Sequence, residues 1–317
     1  MRRTTAAVSV LVCLGVVVLG LTAGCAAVGR TGSARADGRS VRITPFVHDP
    51  PEENERWLAI SIRPPWEQEG EWAFRIPETL GSNIGLLFID HFRPDMVAVV
   101  DPTHELRWIR KPDGSLLANV QLENGIELQT LATPGEADVT VTYTMYNGCP
   151  RDLSNLGLQF CMVQNRVPDF VDHEAKRTFI YAGGRFVALG DTEPGPDPGK
   201  APLFIVTNTR DVEPFETLDD GQSWTVKFQT DIPLIATVSA DGRRVIAVAS
   251  DNSYKIMTNA QIPCIHADPF LGECAAGDTV SVKTKVYFIE GPLADVLPLF
   301  ARDFPQWADA VTTTASR

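Results

Sequence analysis

His266 and Asp268, two positions apart in the stretch Gln261–Gly291, are the residues best placed to do chemistry. A carboxylate near an imidazole sets the ring's tautomer for acid–base work, and the two together suit a sugar hydroxyl. The plain alternative is a loop histidine bonded to backbone, with Asp268-Pro269 making a turn. Cys264 and Cys274 bracket the pair, which suggests a loop pinned at both ends. Glu290, at the exit of the long strand that follows, is a further candidate base.

A second polar knot, Asp169, Asp172, His173 and Glu174, lies in VPDFVDHEAKR. It offers oxygen ligands, or polar contacts to a ligand if its loop converges with that of His266. It lacks the spacing of a calcium loop and also reads as a solvated turn. Among the tryptophans, Trp66 sits in the proline-bounded polar segment RPPWEQEGEW and is expected to offer a stacking face to a ligand. Trp57, Trp108 and Trp224 fall in alternating segments and read as core.

The chain has six cysteines. Cys13 lies in an apolar leader and Cys25 at its end, leaving Cys149, Cys161, Cys264 and Cys274. An even remainder in an oxidising compartment suggests two disulfides. Of the three pairings, Cys149–Cys161 and Cys264–Cys274 are expected because each closes a short local loop. No C-x-x-C and no histidine pair at ligand spacing is present, so neither a metal nor a cofactor is expected.

The leader itself reads clearly. Arg2 and Arg3 precede the apolar run Ala6–Leu21, which is shorter than the roughly 20 residues of a spanning helix. It ends in Leu21-Thr22-Ala23-Gly24-Cys25, which resembles a bacterial lipobox with Thr22 where leucine is usual. Residues 1–24 are expected to be a lipoprotein-type signal peptide and Cys25 the lipid-bearing residue. Cleavage after Ala36 and an uncleaved anchor are the alternatives, and all three routes export the chain to the envelope or beyond. Residues 25–40 read as a flexible tether, 41–304 as one domain and 305–317 as a tail. The net charge of −12 repels nucleic acid and anionic lipid headgroups, so no nucleic-acid partner is expected.

From Val41 onward short strands and turns follow each other almost without relief. Asp113-Gly114, Asn124-Gly125, Asp220-Gly221 and Asp241-Gly242 supply the positive φ angles of tight hairpins. In DVTVTYTMY, Val139, Val141, Tyr143 and Met145 share one face, the alternation of a half-buried antiparallel strand. Gly190–Ala201 is a long exposed loop. Only Leu293, Val296, Leu297 and Phe300 repeat at helical spacing, with Pro298 keeping that helix short. The pattern predicts an all-β fold, a large antiparallel β-sandwich with a short C-terminal helix.

VTYTMYN leading through a polar turn to LSNLGLQFCM, followed later by a histidine-bearing segment, a long strand and the exit Phe288-Ile289-Glu290-Gly291, resembles the galactose mutarotase-like super-sandwich over about residues 80–300. The family's Asn-His motif is absent, with Gln159 or Phe160 near its place, and an amide cannot trade a proton at neutral pH. The resemblance therefore implies a carbohydrate-binding domain that is not catalytic, which the leader would export. Two alternatives stay open: a mutarotase-like sugar-active enzyme, epimerase or lyase-related, using His266 with Asp268 or Glu290, and a structural envelope protein that binds a protein partner. The signatures of serine hydrolases, kinases, zincins and dehydrogenases are missing.

Overall fold

The computed structural model describes residues 40–46, 58–89, 106–192, 203–206, 223–226, 229–259 and 261–312. The alternating segments become strands β1 (Arg42–Pro45), β2 (Ala59–Arg63), β3 (Trp72–Ser82), β4 (Gly85–Ile89), β5 (Ile109–Arg110) and β6 (Leu116–Gln121). β7 (Ile126–Pro134), β8 (Asp138–Asn147), β9 (Leu153–Val163), β10 (Thr178–Ala182), β11 (Arg185–Ala188) and β12 (Leu203–Val206) follow. The series closes with β13 (Ser223–Val226), β14 (Leu234–Val238), β15 (Arg244–Ser250), β16 (Ser253–Asn259), β17 (Cys264–Cys274) and β18 (Thr279–Glu290).

They form two nine-stranded sheets. The first runs β1-β2-β3-β9-β17-β16-β12-β13, with β4 also on β3, and the second runs β11-β10-β14-β15-β18-β8-β7-β6-β5. Every described pairing is antiparallel except β12 with β13. The expected all-β sandwich with a short C-terminal helix is therefore what the chain forms. The hairpin glycines behave as their turns require: Gly114 and Gly125 both have φ +85°, and Gly242 has φ +75°.

The main core lies between the sheets. Val139, Val141, Tyr143 and Met145 of β8 share it with Leu156, Leu158, Phe160 and Met162 of β9 and with Ile265 and Ala267 of β17. Burying this surface is the main favourable term in folding. A second core covers the other face of the second sheet. There α1 (Val296–Asp303) and a turn at Pro305–Trp307 lay Val296, Phe300, Phe304 and Trp307 on Leu234, Ala236, Val245, Ala247 and Ile289. Pro298 is tolerated because it sits in the first turn, where backbone N–H groups lack intrahelical partners anyway. Residues 305–312, expected as tail, continue through that turn into α2 (Ala308–Thr312), and the Trp307 indole donates to Asp251 O at 2.8 Å.

An ion-pair cluster fastens this layer. Lys285 Nζ lies 3.1 Å from Asp138 Oδ2 and 2.8 Å from Asp303 Oδ2, and Arg302 Nε lies 2.9 Å from Asp303 Oδ1. Burial works against the Asp303 carboxylate, but the bonds from Arg302 and Lys285 outweigh it and hold its pKa down to about 2. A depressed folded-state pKa gives stability above the ordinary aspartate value that is lost as pH falls towards 2. Between about pH 5 and pH 2 the native protein is expected to lose ~1 kcal/mol more than Asp303→Asn, a figure discounted for solvent screening. Urea titrations at stepped pH measure the difference, and parallel acid limbs for the two proteins would contradict it.

Two strands escape the sequence reading, β1 and β17. Pro269 and Gly272 make β17 read as a loop. The structure accommodates both by register shifts against β9 at Phe270/Gly272 and Gly272/Cys274, with Gly272 at φ +82°. Trp57, the Asp220-Gly221 turn and most of the 190–201 loop lie outside the described residues, as do the leader and Cys25. Among the described residues no helix is long and apolar enough to cross a membrane.

Candidate functional site

The middle of β9 loses its regular pairing on both sides. Towards β3 the register holds at Arg75↔Cys161 and resumes at Thr79↔Gln159, so Ile76, Pro77 and Glu78 bulge out. Pro77 has no N–H with which to complete a ladder. Towards β17 the register holds at Ile265↔Met162 and is next recorded at Phe270↔Gly157. Between those points the Asp268 carboxylate reaches in, and the Phe160 N–H donates to its Oδ1 at 3.2 Å.

A continuous polar row occupies this break. Arg75 Nη1 lies 2.8 Å from Glu78 Oε1, and Gln159 Nε2 donates to Glu78 Oε2 at 2.7 Å. Lys255 Nζ donates to Gln159 Oε1 at 2.8 Å and lies 3.2 Å from Asp268 Oδ2. Asp268 Oδ1 stands 3.4 Å from His266 Nδ1, within ion-pair range but without a well-directed hydrogen bond. His266 Nε2 is 3.1 Å from Cys264 Sγ, and the ligating atoms of Cys161, Cys264 and His266 all lie within 4.8 Å of one another. Two cations, Arg75 and Lys255, balance two anions, Glu78 and Asp268. That neutrality is what allows so much charge to be buried.

The row has a wet end and a dry end. The Arg75 and Lys255 side chains keep 12% and 20% of their exposure, whereas His266 and Asp268 keep 1% and 0%. Next to Lys255, whose Nζ sits 5.6 Å from the Tyr254 ring centre, Tyr254 packs on the half-buried Phe270 at 6.3 Å. At the dry end the hydrogen bond to Cys264, together with burial, pushes the Cys161 thiol well above its ordinary value. Burial works against a charged His266, but Cys161 and Asp268 outweigh it and raise the imidazole above its ordinary value.

His266 and Asp268 thus stand side by side as their types suggest, but in mid-strand rather than in a pinned loop. Glu290 is not with them: it ends β18 in the other sheet, opposite Arg244. Asp172 is buried and closes its own turn, accepting from Arg177 N at 2.8 Å and Thr178 Oγ1 at 2.9 Å, while His173 is exposed. The expected stacking face on Trp66 is corrected. Trp66 is buried, its ring edge-on to Phe288 at 5.8 Å and its Nε1 donating to Gln68 Oε1 at 3.0 Å.

The expected local disulfides are corrected too. All four described cysteines are free. Cys264 and Cys274 are the two ends of an 11-residue strand, which at the usual rise puts them roughly 30 Å apart. β9 separates Cys149 from Cys161 in the same way. The neighbour of Cys264 across the sheet is Cys161, and at the other end Cys149 and Cys274 share a partner in Asn147. At that second end the Asn147 amide accepts from Cys149 N at 3.2 Å and donates to Cys274 O at 2.9 Å. Arg75, Glu78 and Lys255 had no local signal, and Gln159 was marked only by its place in the family resemblance, because the row exists only once β3, β9, β16 and β17 lie together.

No family model matches the chain, and no curated protein matches it. Solved structures do resemble it. A proposed aldose 1-epimerase from Escherichia coli K12 is 10% identical, with a TM-score of 0.38 over 59% of this chain and 69% of that one. A protein from Synechocystis sp. PCC 6803 is 11% identical, with a TM-score of 0.39 over 75% of this chain and 94% of that one. A galactose mutarotase-like protein from Clostridium acetobutylicum is 12% identical, with a TM-score of 0.34 over 64% of this chain and 69% of that one. At these values no residue's role is carried over from them.

Proposed function

We propose that the chain is an exported envelope protein, lipid-anchored at Cys25, that binds a carbohydrate over the wet end of the polar row without turning it over. The observation that carries this reading is the run Arg75–Glu78–Gln159–Lys255. Charged and amide groups from three strands, each already oriented by its neighbour, alternate donors with acceptors beside the half-buried Phe270 ring. Such pre-set polar forks next to an aromatic face suit the adjacent hydroxyls and the C–H face of a pyranose. Burial of His266 and Asp268 favours binding over turnover, because a ligand at the surface meets Lys255 and Gln159 first. The lipobox-like Leu21–Cys25 supports the anchor.

The test is a binding screen of the full chain against bacterial and plant polysaccharides, with Lys255→Ala as the comparison. At least one polysaccharide is expected to bind, and the variant to bind it about 10-fold more weakly, the usual worth of a hydrogen bond to a charged group. Binding to none, or binding indifferent to Lys255, would count against the reading. Accumulation of a product from the bound sugar would overturn its non-catalytic part.

A further inference from the structure

The dry end of the row holds a different chemistry, independent of any carbohydrate. We propose that Cys161, Cys264 and His266 form a zinc site that clasps β9 to β17 where their ladder is interrupted. Among the described residues these three are the group whose ligating atoms converge, within 4.8 Å of one another, and all three side chains are buried. With ordinary Zn–S and Zn–N bonds, donor–donor edges in a tetrahedral site run roughly 3.5–3.8 Å. The 3.1 Å Sγ···Nε2 separation and the 4.8 Å limit bracket that range, so small side-chain rotations suffice.

The surroundings are those of a ligating histidine. Nε2 faces the sulfurs while Nδ1 faces the Asp268 carboxylate at 3.4 Å, the outer partner that fixes a ligating ring's tautomer and orientation. Asp268 is itself held, by Phe160 N–H and Lys255. Charge points to a divalent cation. On binding, the two thiols release their protons to solvent, as does the imidazole where it is protonated, and two thiolates with Zn²⁺ and a neutral His266 carry no net charge; Asp268 already balances Lys255, and Glu78 balances Arg75. A monovalent cation such as Cu⁺ would leave one uncompensated negative charge in a buried site. Met257, buried and paired with His266 across β16, walls the site on its third side.

The ligands come from β9 and β17, more than a hundred positions apart in sequence, so no local spacing announces them. Two of them also bracket the point at which the pairing of β9 with β17 stops: Cys264 pairs with Val163, beside Cys161, and the next recorded pair beyond Ile265↔Met162 is Phe270↔Gly157. A cation there supplies the cross-strand tie that the missing ladder bonds do not.

The full chain, purified without chelator, is analysed for metal by mass spectrometry and for free thiols after denaturation. About one zinc per chain is expected, and exchange into Co²⁺ is expected to give thiolate-to-cobalt charge transfer with the strong visible bands of a tetrahedral ion. Cys161→Ser and His266→Ala are each expected to lower the zinc content several-fold. Should these variants fail to fold, the cobalt spectrum of the unmodified protein decides alone. A Cys161–Cys264 disulfide in the purified chain overturns the proposal. So do copper in place of zinc, a metal-free protein that gives no cobalt charge transfer, and zinc that persists in the folded Cys161→Ser variant.

Discussion

Asp268→Ala is expected to lower the free energy of unfolding by about 3–5 kcal/mol, the range for breaking a buried ion pair by removing one partner. The carboxylate is fully buried and has three attachments: Phe160 N–H at 3.2 Å, Lys255 Nζ at 3.2 Å and His266 Nδ1 at 3.4 Å. Truncation leaves a backbone donor without an acceptor, in a stretch of β9 whose ladder is already interrupted, and a lysine with no counter-charge at the inner end of the row. Asp268→Asn isolates the second loss. It keeps the shape and still accepts from Phe160, so a cost of about 2 kcal/mol is expected, chiefly from the unneutralised Lys255. Combining Asp268→Asn with Lys255→Met should then recover part of that cost, and the double-mutant cycle gives the coupling directly. Urea denaturation of the four proteins measures it. A cost below about 1 kcal/mol for Asp268→Ala would mean that the row does not close the gap between β9 and β17.

The sequence carried the class of the fold well and the site poorly, for one physical reason. Period-two alternation and Asp-Gly or Asn-Gly turns are local, and each reports its own strand or hairpin; β6, β7, β8, β15 and β18 could be read almost to their ends. β17 fails the same reading because both its faces are buried and its Pro269 and Gly272 mimic a loop, while its pairing depends on β9 and β16, which are distant in sequence. The error then spread. A loop pinned by Cys264 and Cys274 invited a local disulfide, whereas a strand places those cysteines at its opposite ends. Cys161, opposite His266 in the continued register of β9, became its neighbour instead. Trp66 shows the converse problem. Its polar, proline-rich context is that of an exposed loop, yet the ring turns inward onto Phe288 of the opposite sheet. Sequence neighbours describe the backbone's surroundings, not the direction of a side chain.

Trp72→Ala is expected to cost about 3–5 kcal/mol of stability, the range for deleting a large buried aromatic side chain. Trp72 opens β3 with no exposed surface, and its ring meets Phe170 at 5.2 Å, edge-on, and Phe288 at 5.2 Å, tilted. One side chain thus joins three parts of the fold: the first sheet, the turn after β9 and the long strand β18 of the second sheet. Its neighbours are held by strands on either side and have little room to collapse into the space, which puts the cost towards the top of the range. The conservative variant separates volume from polarity. The indole N–H is buried with no hydrogen-bond partner among the described residues, so Trp72→Phe loses volume but no bond. It should cost under about 1.5 kcal/mol, because removing an unsatisfied buried donor offsets part of the lost packing. Trp66 also contacts Phe288, at 5.8 Å, so Trp72→Ala and Trp66→Ala share a partner and their costs should not add. Chemical denaturation of Trp72→Phe, of the two alanine variants and of their double variant tests both points. Equal costs for Trp72→Phe and Trp72→Ala would show that the indole N–H, not the ring's bulk, is what the site requires.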